Sequence, residues 1–70
     1  MSGGRIKEAQ RDFDNAQRAG ELQNSWLMTF QGACQRGDWD AADEAQACAL
    51  AAFDSYLTHS AAGYKRMESA

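Results

Sequence analysis

Apolar and small residues recur every seven positions through the first half of the chain. Ile6, Phe13, Gly20, Leu27 and Cys34 form one row, and Ala9, Ala16, Gln23 and Phe30 form a second row between them. Alternating steps of three and four mark one face of a helix laid along another helix. The pattern predicts a helix over residues 5–35. Its phase is the same on both sides of Gly20, which favours one long helix with room for a bend there. A lone glycine costs about 1 kcal/mol relative to alanine and does not by itself end a helix.

The break falls at Arg36-Gly37-Asp38. Gly37 suits the left-handed position that terminates helices. Asp38 is placed to cap the next one, and Asp40, Asp43 and Glu44 follow where carboxylates favour the positive end of the helix dipole. The second helix is predicted over residues 39–67, with Lys65 and Arg66 in its last turn. Residues 1–4, containing Gly3-Gly4, read as a flexible lead-in. So short a turn requires an antiparallel hairpin of two helices, each roughly 45 Å long.

The second helix carries its own stripe of Trp39, Gln46, Leu50, Phe53, Leu57, Ser60, Tyr64 and Met67. Folding at Gly37 is expected to set Gly20 near Phe53, Gln23 near Leu50, Ala16 near Leu57 and Phe13 near Ser60 and Ala61. Large then meets small at nearly every level, as interdigitating layers require. A second strip is left over: Ala19, Leu22, Trp26 and Ala33 on the first helix, Ala42, Ala45, Ala49, Ala52, Tyr56 and Gly63 on the second. Two helices bury only one seam between them, and a contiguous surplus strip marks an interface.

Composition supports this architecture. The chain has 70 residues and no proline, and its only β-branched residues are Ile6, Thr29 and Thr58. That profile favours helix and disfavours sheet. A single domain over 1–70 of this size buries a modest core and is usually helped by a second chain, a metal or disulfides. The expectation is an all-α antiparallel hairpin that homodimerises into a four-helix bundle. Docking onto a different protein is the alternative use of the same strip, and the two can occupy different faces.

The net charge of −3 argues against a dominant phosphate-binding role. The uncharged run from Leu22 to Gln35 is too short and too polar to span a bilayer. No apolar signal core follows Met1, so a cytoplasmic location is expected. Cys34 and Cys48 should be free thiols: they are offset by on the order of 10 Å along the hairpin, whereas a disulfide needs Cα atoms within about 7 Å. Charge is also unevenly placed. Asp38, Asp40, Asp43 and Glu44 crowd the turn, while Arg5, Lys7, Arg11, Lys65 and Arg66 outnumber the carboxylates at the open end. Turn-to-termini pairing of two copies would bring opposite signs together.

Chemistry-bearing motifs are sparse. His59 stands alone in Thr58-His59-Ser60 and has no second histidine at metal spacing; Cys34 and Cys48 are too far apart to share a zinc. Ser55 and Ser60 lack a neighbouring base, and Gly3-Gly4 opens no phosphate loop. The expectation is therefore no enzymatic activity, cofactor or metal, and no membrane association. Seven aromatic residues raise the possibility of stacking on single-stranded nucleic acid, but basic residues do not interleave with them, so nucleic acid is disfavoured as a partner.

Residues 26–50 resemble a single tetratricopeptide-type hairpin. Trp26, Gly37, Trp39, Ala42, Ala49 and Leu50 match that family's Trp, turn Gly, Tyr, Ala, Ala and Leu spacing. Phe30 stands where the family has Gly, Asp54 where it has Pro, and no second repeat follows. The resemblance implies turn chemistry and a tilt toward protein binding. The short acidic hairpin with a cysteine on each helix also resembles the Rop-type dimer that binds RNA hairpins, with Asp40 to Gln46 similar in flavour. The basic face such binding needs is missing from the middle of the first helix.

The functional expectation is a non-enzymatic module that binds a larger protein partner and modulates, typically inhibits, its activity. Small accessory proteins of phages and mobile elements fit that description. Leu22, Trp26, Met28 and Tyr56, with the acidic turn residues Asp40, Asp43 and Glu44, are the expected partner-binding residues. Met28 points away from both strips, and an exposed methionine suits an adaptable surface.

Overall fold

Two residues connect two long helices. The computed structural model describes residues 2–69 as α1 (Ser2–Arg36) and α2 (Trp39–Ser69). Gly37 holds a left-handed φ of 73°. Its N–H donates to the Cys34 carbonyl at 3.1 Å, and the Asp38 N–H donates to the Ala33 carbonyl at 2.9 Å. These are the paired bonds of a Schellman cap, which satisfies carbonyls that the end of α1 would otherwise leave orphaned. Asp38 then starts α2. Its carbonyl accepts from the Ala42 N–H at 3.0 Å, and its carboxylate accepts from the Ala41 N–H at 3.3 Å. One aspartate thus closes one helix and caps the next.

Helix α1 runs unbroken through Gly20 and is already helical at Ser2, so residues 2–4 of the flexible lead-in expected over 1–4 are part of the helix. Gly3 and Gly4 weaken a helix without blocking it; Met1 and Ala70 lie outside the described residues. The two helices pack side by side into a rod with Cα extents of 54 × 12 × 11 Å.

The seam differs from the expected one, and the difference is systematic. Among the described residues the buried apolar side chains are eight alanines: Ala9, Ala16, Ala19, Ala33, Ala42, Ala45, Ala49 and Ala52. On α1 the row through Ala9, Ala16, Gln23 and Phe30 faces inward as expected. Its companion row is Asp12, Ala19, Trp26 and Ala33, one residue before the expected Phe13, Gly20, Leu27 and Cys34. On α2 the buried row is Ala42, Ala45, Ala49, Ala52 and Gly63, again one residue before the expected stripe. One residue rotates a helix by about 100°. The strip expected to be surplus on α2 is therefore the seam, and Trp39, Leu50, Phe53, Leu57, Tyr64 and Met67 stand outside it. The physical reason is backbone proximity. Alanine and glycine let two helices approach closely, so the seam gains dispersion contacts that bulky residues would prevent.

Large still meets small, with different partners from those expected. Gly20 lies under the ring of Tyr56, not Phe53; a Cβ placed on it would stand 3.6 Å from Tyr56 Cδ2. Phe13 packs into the space left by Gly63 and edge-on against Tyr64, with ring centroids 5.1 Å apart. At the open end Arg66 joins the helices: its Nη1 donates to Glu8 Oε2 and its Nε to Asp12 Oδ2, each at 2.6 Å.

Candidate protein-interaction surface

With alanine in the seam, the large apolar side chains of α2 are displayed outward. They fall in one row: Trp39, Leu50, Phe53, Leu57, Tyr64 and Met67, each exposed, with Leu50 at 62% and Tyr64 at 65%. Steps of three and four keep the row on one side of α2, interrupted by Asp43, Gln46 and Ser60. Phe53 stacks with Tyr56, ring centroids 6.4 Å apart and planes 15° from parallel. Tyr56 in turn covers Gly20, so the row continues across the seam onto α1. There it reaches Leu27, which is exposed. A shallow groove between Gly20, Asn24, Leu27 and Tyr56 lies on this same side.

The expected partner-binding residues are dispersed. Tyr56 borders the apolar row, and Asp43 lies within it. Asp40 and Glu44 are exposed beside it at the turn end. Leu22 is exposed but flanks the seam on the opposite side from Leu27, and Met28, 67% exposed, lies on the outer side of α1. Trp26 is half-buried in the seam. Sequence reasoning misses the row on α2 as a surface because its spacing is as good for a seam as that of the alanines beside it. The usable signal is the run of small residues itself, which no bulky row can outcompete for close helix contact.

The remaining chemistry is spare. Cys34 and Cys48 are free thiols, both half-buried. His59 is half-buried beside the seam. Among the described residues no group of three or more His, Cys, Asp or Glu is placed to hold a metal ion. Among them, too, no helix is long and apolar enough to cross a membrane. Buried side-chain polar atoms without a partner are absent among the described residues, so no orphaned donor or acceptor points to a small ligand. What the arrangement offers is an apolar, aromatic-rich surface on a rigid rod, suited to packing against another protein. Searches against family models, curated proteins and solved structures found no match to this chain.

Proposed function

We propose that the chain is a small non-enzymatic protein-interaction module that pairs with a second copy into a homodimeric four-helix bundle, and in that form binds a larger protein and modulates its activity. The observation that carries the reading is the inversion of the usual order of burial: alanines inside, Leu50, Phe53, Leu57, Tyr64 and Met67 outside. An isolated hairpin built this way buries little apolar surface. Its accessible area is 5196 Å², against about 4,300 Å² for a compact protein of its mass. Its radius of gyration is 15.9 Å, against about 11 Å for a compact chain of its length. A second hairpin laid on the apolar row would supply the missing burial.

Leu22 and Met28 are exposed on α1 away from that row and remain available to the larger partner. The test uses capture from the native host lysate, with nuclease, comparing the native chain with Leu22→Glu and Met28→Glu. A protein retained by the native chain and lost by these variants, whose own mass in solution is unchanged, supports a heterologous surface on α1. Equal retention by all three contradicts it.

A further inference from the structure

Resting on the self-association reading, we infer that the apolar row of α2 is its own partner: α2 packs antiparallel on the α2 of a second copy, with Phe53 at the two-fold axis. At all but one place the row has the same character read in either direction from Phe53. Trp39 balances Met67, Gln46 balances Ser60, and Leu50 balances Leu57. Asp43 balances Tyr64, a carboxylate acceptor opposite a phenolic donor. A two-fold interface requires such a surface, since residue i must suit residue j as well as j suits i.

Antiparallel pairing about Phe53 therefore sets apolar on apolar at Trp39/Met67, Leu50/Leu57 and Phe53 itself, polar on polar at Gln46/Ser60, and leaves Asp43/Tyr64 as the one mixed pair.

Charge and area agree with the second copy. The acidic turn end, with Asp40, Asp43 and Glu44 exposed, would lie beside the last turns of the partner's α2, which carry Lys65 and Arg66. Antiparallel helices also oppose their dipoles favourably. The six large side chains present roughly 200 Å² each when free and are about half exposed, so a pair would bury on the order of 1,200 Å². That reaches the size of a stable specific interface.

The test is site-directed cross-linking in the full chain, with Cys34→Ala and Cys48→Ala removing the native thiols. Gln46→Cys and Ser60→Cys are made separately, at exposed or half-exposed polar positions that leave the apolar row intact. The antiparallel arrangement sets position 46 beside the partner's position 60, while two copies of either position stand about 20 Å apart. Mixing the two variants under oxidation should give the mixed disulfide as the dominant product, and neither variant alone should cross-link beyond background. Efficient self-linking of each variant would mean parallel pairing and overturn the inference while leaving self-association intact. A dimeric mass with no cross-link would place the interface elsewhere and overturn it equally. A monomeric mass for both variants and for the native chain would overturn the self-association reading as well.

Discussion

Phe13 occupies the space that a side chain on Gly63 would need. A Cβ built there would come within 2.7 Å of Phe13 Cε1, and within 2.9 and 3.0 Å of two further ring atoms. Gly20, at the middle of α1, differs: its Cβ would meet Tyr56 at an ordinary 3.6 Å. The two glycines sit in the same hairpin and should answer the same substitution with opposite signs. Gly20→Ala should stabilise by about 0.5–1 kcal/mol, through helix propensity and a less flexible unfolded chain. Gly63→Ala gains the same propensity but must displace the Phe13 ring, and overpacking of this kind costs about 1–3 kcal/mol. Urea denaturation followed by circular dichroism should show the midpoint rising for the first variant and falling for the second.

The turn rests on backbone conformation. Gly37 has φ 73°, a region where a Cβ crowds the following carbonyl at a cost of about 1 kcal/mol. Gly37→Ala should lower stability by about that amount, and Gly37→Asn by less, since asparagine tolerates the left-handed region. Thermal melts of the two variants beside the native chain check the order.

Arg66 holds α2 to both Glu8 and Asp12. The arginine and Glu8 are largely exposed, with Asp12 more sheltered, so solvent screens much of the attraction. Arg66→Ala should cost about 0.5–1 kcal/mol at low ionic strength, and most of that difference should vanish in about 1 M salt, where the Debye length falls to about 3 Å. A loss independent of salt would assign Arg66 a packing role through its aliphatic stem instead.

Trp26 is half-buried in the seam. Trp26→Ala should therefore reduce stability by about 2–3 kcal/mol, below the range of about 3–5 kcal/mol for a fully buried tryptophan because the indole is only half-buried. Helical signal should be lost at a lower urea concentration. Unchanged stability would mean that the indole contributes to a surface and not to the seam.

Much of the fold is legible in the chain, and the part that is not has a definable cause. Absence of proline, heptad spacing and the Arg36-Gly37-Asp38 turn specify two helices and their connection, and the structure has both. Orientation about each helix axis is not legible, because α2 carries two rows with the same three-four spacing. Ala42, Ala45, Ala49 and Ala52 run one residue ahead of Gln46, Leu50 and Phe53. Hydrophobicity favours burying the bulky row; close approach of two backbones favours burying the small one. In a two-helix chain the second effect wins, since bulky residues on a hairpin this thin find nothing thick enough to cover them. The candidate surface shares this ambiguity. Spacing alone puts Leu50, Phe53 and Leu57 in the core and Trp26 on the surface, and the structure reverses both placements. Tyr56 survives either orientation because its ring spans seam and row, touching Gly20 on one side and Phe53 on the other.

The central claim is that the alanine seam leaves the bulky row of α2 for a second copy of the chain. Sedimentation equilibrium of the native chain and of Leu57→Glu, at micromolar concentration, tests it most directly. The account predicts twice the 7.7 kDa chain mass for the native protein, with a melting temperature that rises with concentration. It predicts a monomeric mass and weakened helicity for Leu57→Glu, a charge placed in the middle of the row. A native chain that sediments at 7.7 kDa, with full helical signal and a melting temperature independent of concentration, would contradict it.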